Sequence, residues 1–370
     1  MGNVRTMAIS IRLRPLGRAT GPMNGIRRGR RAAGFEAAGD MDDAIDDFER
    51  ASMFYACGSW PHLKSNADAQ AALEQARLAY ATGAELLSGN FEAVQIPFEG
   101  DTFGGYLFTP EGDGPFPAVV SLNGTDVVKE QLGYDLPRSL LAHGIAVLLV
   151  DLAGVGDSGD YTLTFDIEKL PLAATDYLHS HAGIDPDRIG MMGVSIGGQG
   201  AARALFNQDA GLKAIVSHCA PLDFAYANAA ALVPQLPQLP QLTVDGYVDN
   251  LNLAAGSTAE DLGTALEAFA FSAQNLVNEP PVSTPLLVVT TNDDPVAPLE
   301  DLALITGATT DSTVVVLDET GLLGNERTLG KLAGQGLRHV LIRAAASGRQ
   351  TTQACRNPLL NRNWSLRPTK

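Results

Sequence analysis

The residues best placed to do chemistry lie in Gly193-Val194-Ser195-Ile196-Gly197. An apolar run, Arg188–Gly193, reads as a strand entering this pentapeptide, and Ile196–Phe206 reads as a helix leaving it. A serine between them stands on a sharp strand–turn–helix corner, and glycines flank it because side chains could not pass one another there. The corner exposes Ser195 Oγ beside a helix N-terminus, whose free N–H groups favour a developing negative charge. Attack of that hydroxyl on a carbonyl is the chemistry such a site performs. A merely tight strand–helix turn is the bland alternative; Asp185-Pro186-Asp187-Arg188-Ile189-Gly190 before the corner and Gly198 after it weigh against that.

Acyl transfer needs donors aimed at the tetrahedral oxygen. The backbone N–H of Ile196 is one. The second is expected from the loop after an early strand, where Leu122-Asn123-Gly124-Thr125-Asp126 follows Ala118–Leu122 and Thr125 N–H is the candidate. An ordinary Asn-Gly turn is the competing reading of that segment. An orienting acid should follow a later strand. Leu286–Thr291 ends in Asn292-Asp293-Asp294-Pro295-Val296-Ala297-Pro298, and Asp294 is preferred because Pro295 fixes the loop beside it, with Asp293 as a solvated turn residue. Gly154-Val155-Gly156-Asp157-Ser158-Gly159 has the spacing of a dinucleotide fingerprint, with Asp176 downstream. Its third glycine leads into Asp160–Phe165, which reads as loop rather than helix, so no cofactor site is assigned.

These residues need a sheet to hold them. Glu92–Phe98 and Phe103–Phe108 flank a hairpin turn, and Ala118–Leu122, Ile145–Asp151, Arg188–Gly193, Ala214–Ser217, Leu286–Thr291 and Thr313–Leu317 follow. Several are solid Val/Leu/Ile runs, as in parallel strands buried on both faces. Helical stretches Glu130–His143, Ile167–His181, Ile196–Phe206 and Thr258–Asn275 alternate with them, which specifies an α/β, doubly wound, mostly parallel sheet. Two helices, one from about residue 41 and one over Ala67–Leu87, precede every strand and read as a cap. Residues 221–256 are an insertion between core strands, with a Pro-rich Leu232–Leu242 stretch, and read as the start of a lid. The expected organisation is a basic leader over 1–40, a helical cap over 41–90, a core over 91–321 with the lid at about 221–280, and a basic tail over 322–370.

A net charge of −16 repels nucleic acid, so none is expected as a partner. The longest apolar run, Ile145–Val150, is far short of a membrane span. Cys57, Cys219 and Cys355 are scattered and lack metal-ligand spacing, so no metal is assigned and idle thiols in a reducing cytoplasm are expected. Charge is uneven along the chain. Residues 1–31 hold eight arginines and no acid, whereas residues 321–370 hold nine basic side chains and one acid, Glu326. Pro15, Gly17, Gly21 and Pro22 are expected to interrupt any helix in the leader, which reads as unstructured or as an overextended start rather than as a targeting signal.

Asn123-Gly124-Thr125-Asp126 with Lys129-Glu130, Asp151-x-x-Gly154-x-Gly156-x-Ser158, the Ser195 corner and Asp294-Pro-Val-x-Pro occur in order behind a helical cap. Over roughly residues 40–321 the chain resembles the FrsA-like α/β hydrolases, a group that includes 2,6-dihydroxypseudooxynicotine hydrolase and fungal hydrolases that shorten polyketide chains. The resemblance implies an α/β-hydrolase fold and a Ser-Asp-His triad without metal or organic cofactor. It further implies cleavage of an ester, or of a C–C bond next to a carbonyl, in a small acyl or diketone-like substrate. A homodimer is left open. In that group the histidine follows the last core strand, normally after a glycine; here Asp318-Glu319-Thr320-Gly321 is followed by Leu322, which cannot accept a proton. His218, after the Ala214–Ser217 strand, and His339, in the right chain order, are the substitutes that the sequence offers; His62, His143, His179 and His181 read as surface or packing residues. The switch to a basic composition at the same point suggests that the reading frame diverges from the family near residue 321. The rival expectation is a binding scaffold that keeps the pocket without the chemistry.

Overall fold

A computed structural model describes residues 16–235, 241–291, 294 and 297–317. Eight strands form one sheet: β1 (Asn90–Phe98), β2 (Asp101–Thr109), β3 (Phe116–Leu122), β4 (Ala146–Val150), β5 (Ile184–Val194), β6 (Ile215–His218), β7 (Leu286–Thr291) and β8 (Ser312–Leu317). Their order is β1-β2-β4-β3-β5-β6-β7-β8. β1 pairs with β2, and β2 with β4, antiparallel; every other pair is parallel. The β1–β2 hairpin turns through Glu99 and Gly100, both at positive φ, as a tight hairpin requires. Alternate residues of the central strands feed two cores. Val120, Leu122, Ile215 and Val288 face one side, and Val119, Val147, Val216 and Val289 face the other. Connections run to opposite sides of β3, so the order reverses between β4, β3 and β5. The crevice at the carboxyl ends of β3 and β5 is where such sheets bind ligands.

Three helices precede the sheet: α1 (Leu16–Ala38), α2 (Met41–Ser59) and α3 (Ala67–Ala84). The first corrects the expectation of an unstructured leader through residue 40. Gly21 lies so close to Phe54 and Gly58 that an added Cβ would sit 2.9 Å from Phe54 O, and at Gly25 it would sit 2.8 Å from the Tyr55 ring. Pro22 packs on Gly58. Two of the residues that read as helix breakers, Gly21 and Pro22, are therefore, with Gly25, part of the surface that lets α1 approach α2. Buried Asp47 then receives Arg28 at 2.8 Å and Arg31 NH2 at 2.7 Å. α3 docks the cap on the sheet through Tyr80, stacked on Tyr106 at 5.1 Å and donating its hydroxyl to Gly133 O at 2.9 Å.

The remaining helices are α4 (Asp135–Leu141), α5 (Lys169–Ser180), α6 (Ile196–Arg203), α7 (Phe224–Ala227), α8 (Ala229–Leu232), α9 (Gln241–Asn250), α10 (Ala259–Leu266) and α11 (Glu300–Gly307). The expected helix Thr258–Asn275 ends at Leu266. Its start is fixed by a Thr258–Asp261 capping box, but Phe269 O is taken by buried Gln199 of α6 at 2.6 Å and Phe271 N by Leu222 O at 3.1 Å. Those tertiary bonds turn the chain before the helix can run on. In the insertion, α9 meets the cap: Gly246 packs on Pro61, and Asp249 accepts Lys64 N at 2.9 Å. No helix among the described residues is long and apolar enough to cross a membrane.

Candidate active site

β5 delivers Ser195 to the head of α6 with φ 56° and ψ −129°. A non-glycine residue in that region is held there by its surroundings. Ser195 N donates to His218 O at 2.9 Å, and Ser195 O accepts Gln199 N at 3.1 Å as the first bond of α6. The flanking glycines are obligatory: a Cβ on Gly193 would lie 2.1 Å from Gly197 O, and one on Gly197 would lie 2.1 Å from Asn123 O. Ile196, buried, opens the helix, so its N–H is among those that no earlier carbonyl of α6 can take.

The loop after β3 closes on the serine from the other side of the crevice. A Cβ on Gly124 would be 3.4 Å from Ser195 Cβ and 3.8 Å from its Oγ. Thus Asn123 and Gly124 touch the corner, and Thr125 follows, buried, with its hydroxyl on Asp126 Oδ1 at 3.1 Å. Tyr247 of α9 reaches the same threonine; burial, more than the nearby Asp126, raises its phenol pKa, while a hydrogen bond with Thr125 opposes the rise.

What holds this loop is a buried ionic cluster. Asp151, at the end of β4, accepts Asn123 Nδ2 and Lys129 N, both at 2.7 Å on Oδ1, and Lys129 Nζ and Asp157 N, both at 3.0 Å on Oδ2. Lys129 is fully buried, 3.1 Å from Glu130 Oε1, bonded to Asp157 and 4.5 Å from the centre of the Tyr106 ring. Burial alone would lower the Lys129 pKa; Asp151, Glu130 and Asp157 more than reverse that, and the amine stays charged. Burial also raises the Glu130 pKa. Arg77 of α3 completes the cluster, 2.6 Å from Asp157 Oδ1. The glycines of the 154–159 segment serve this packing, since a Cβ on Gly156 would fall 2.1 Å from Asp151 Oδ2 and one on Gly154 would strike Asn250. Only a single turn, Gly156–Ser158, opens there. Lys129, Glu130 and Asp151 were visible as motif residues; Arg77 was not, because nothing in α3 distinguishes it from any exposed helical arginine.

Asp294 lies past the end of β7, buried, with Oδ1 accepting Ala297 N at 3.1 Å. Its charge is felt by both residues that end β6 and follow it. Burial raises the Cys219 thiol to about 12, aided by Asp294. Burial depresses His218 to about 4, with Asp294 acting in the opposite direction. His218 is the last residue of β6, in register with Val194 and Val289. Because Ser217 turns its hydroxyl to Gly198 O at 3.1 Å on the α6 face, strand alternation turns His218 to the opposite face. No hydrogen bond joins an imidazole to Ser195 Oγ among the described residues. Asp293, Leu322 and His339 lie outside those residues. Of the other histidines, His143 bonds Ser139 O and His179 bonds Ala210 O. His62 is buried in the cap at φ 63° with Nδ1 2.6 Å from Ser59 Oγ, and burial lowers it to about 4.

Known proteins align with this arrangement along most of the chain. The family model described as esterase FrsA-like matches residues 30–332. An esterase FrsA of Photobacterium profundum is 26% identical over 299 residues, covering 80% of this chain and 70% of that protein. One of Vibrio vulnificus is 30% identical over 274 residues, covering 72% and 64%. The chain thus spans about two thirds of the length of these relatives. Among solved structures, 2,6-dihydroxy-pseudo-oxynicotine hydrolase superposes with a TM-score of 0.72 at 20% identity, covering 88% of this chain and 89% of that one. AbyA5 superposes with a TM-score of 0.65 at 20% identity, covering 86% and 92%. At that identity the structural likeness speaks to the α/β-hydrolase fold. With the family match running through the cap, the Ser195 corner and the end of the sheet, the chain belongs to the FrsA-like esterase family.

Proposed function

We propose that this chain is a serine hydrolase that cleaves an ester, or a C–C bond next to a carbonyl, through an acyl-enzyme on Ser195. The observation that carries the reading is the Ser195 backbone, held at φ 56° at the head of α6 with Gly124 of the β3 loop against it. Ser195 Oγ attacks the carbonyl carbon of a small acyl or diketone-like substrate, and its proton passes to an imidazole. The amides of Ile196 and Thr125 receive the oxyanion. Collapse expels an alkoxide, or an enolate in the C–C case, which takes up that proton; water then releases the acid. Asp294 orients the imidazole. His218 and His339 compete for that role; burial, which depresses His218 to about 4, keeps it neutral at pH 7 and makes it a weak base. Free thiols at Cys57 and Cys219 accord with a cytoplasmic setting.

A fluorophosphonate probe tests the reading. Wild-type protein should label on Ser195, Ser195→Ala should not, and Asp294→Asn should label at least about a hundredfold more slowly. His218→Gln and His339→Gln, compared side by side, identify the base as the variant that loses labelling. Leu322 after Gly321 favours a second reading, a binding scaffold without turnover. That reading predicts no labelling of folded wild-type protein.

A further inference from the structure

The cap is joined to the β3 loop by charge as well as by packing. Starting from the cap, Arg77 Nε of α3 forms an ion pair with Asp157 Oδ1 at 2.6 Å. The other oxygen of Asp157 takes Lys129 Nζ, and Asp157 N donates to Asp151 Oδ2 at 3.0 Å. Asp151 Oδ1 then grips the loop at both ends of its turn, through Asn123 Nδ2 and Lys129 N. Asn123 is clamped again by Leu152 N on its Oδ1 at 3.0 Å, and its Nδ2 also donates to Val127 O at 2.7 Å. Its own carbonyl lies where a Cβ on Gly197 would be, and the next residue is the glycine that touches Ser195. From Asp157 inward the links are hydrogen bonds between buried or half-buried groups, and Arg77 joins them through an ion pair, so a shift at Arg77 has few ways to be absorbed before it reaches the loop.

We propose that Arg77 is a positioning residue: acting through Asp157 and the Lys129–Asp151 pair, cap helix α3 fixes the Asn123–Thr125 backbone at the distance from Ser195 that receives an oxyanion. The cap is then part of the catalytic apparatus rather than only a cover. The catalytic half of this inference rests on the hydrolase reading above; the positioning half does not. Arg77 suits the task because it is part-exposed, so the cluster can feel the cap without burying another isolated charge. Glu74 of the same helix, largely exposed, accepts Arg77 Nη1 at 3.3 Å.

The test uses the full chain with Arg77→Met, Arg77→Lys and Asp157→Asn, and two readouts. Hydrogen–deuterium exchange at residues 123–128 should quicken about tenfold in Arg77→Met and Asp157→Asn, with β5 and α6 unchanged, and Arg77→Lys should restore most of the protection. On a p-nitrophenyl ester, kcat should fall about tenfold or more at unchanged KM, and a boronate that mimics the tetrahedral intermediate should lose affinity in parallel, as for a displaced oxyanion donor. Unaltered loop exchange in folded Arg77→Met and Asp157→Asn proteins overturns the positioning claim. Quickened exchange with kcat and boronate affinity intact overturns the catalytic half. Should wild-type protein neither turn over the ester nor bind the boronate, the hydrolase reading fails, while the exchange experiment still decides whether α3 positions the loop.

Discussion

Ser195 and its neighbours show how little freedom this corner has. Because a Cβ on Gly193 or Gly197 would fall 2.1 Å from a backbone oxygen, alanine at either position must push backbone against backbone. Gly197→Ala should therefore cost about 3 kcal/mol or more in urea denaturation. Gly124→Ala, whose Cβ would make ordinary 3.4 Å contact with Ser195 Cβ, should fold normally and instead slow probe labelling of Ser195. The buried imidazoles give a second residue-scale prediction. Burial depresses folded His62 and His218 to about 4, below the 6.5 of an unperturbed imidazole, so the unfolded chain binds their protons first as pH falls. Their contribution is fully present above about pH 6.5 and is lost between there and pH 4, at about 3 kcal/mol each. Denaturation midpoints measured from pH 7.5 to 4.5 should fall steeply, and His218→Gln should flatten part of that slope.

At the scale of elements, the strands were the legible part. β7 ends where its Val/Leu/Thr run ends, and the runs of β3 and β4 give their ends to within two residues, because a strand buried on both faces must be apolar throughout. Helices set by tertiary contact were not legible. α1 looks broken in sequence because Pro15, Gly17, Gly21 and Pro22 disfavour an isolated helix, yet Gly21 and Pro22 make the close approach to α2. The stop of α10 at Leu266 depends on Gln199, some seventy residues earlier. Asp47 is the anchor of α1, fully buried beneath Arg28 and Arg31. Asp47→Ala leaves both arginines without their acceptor, and limited trypsin digestion should then cut first within residues 27–31, with the sheet intact. Preserved resistance there would show that glycine packing alone holds the helix.

Over the whole molecule, the reversal of strand order between β4, β3 and β5 puts the Ser195 corner and the 123–125 loop at one crevice, and the Pro61–Lys64 turn of the cap meets α9, whose Tyr247 reaches Thr125 of that loop. The site was half legible for this reason. Ser195, Ile196 and the 123–125 loop follow from strand–turn–helix grammar. The Arg77–Asp157 link joins elements 80 residues apart and has no local signature. The unusual end of the sequence carries a prediction at this scale. If the frame diverges near residue 321, another frame of the gene beyond that codon should encode Gly-His followed by an amphipathic helix, and a chain carrying that segment should label with fluorophosphonate at least about a hundredfold faster. If no frame restores such a segment, the divergence reading is wrong and the base must be sought in His218 or His339. The central claim, that Ser195 carries the acyl group, is met most directly by mixing the protein with p-nitrophenyl butyrate, quenching in acid within milliseconds to seconds and measuring intact mass. A butyryl adduct on the Ser195 peptide is expected, accompanied by a stoichiometric burst of p-nitrophenol and absent from Ser195→Ala. Turnover without any adduct in the wild type, or an adduct that persists in Ser195→Ala, would contradict it.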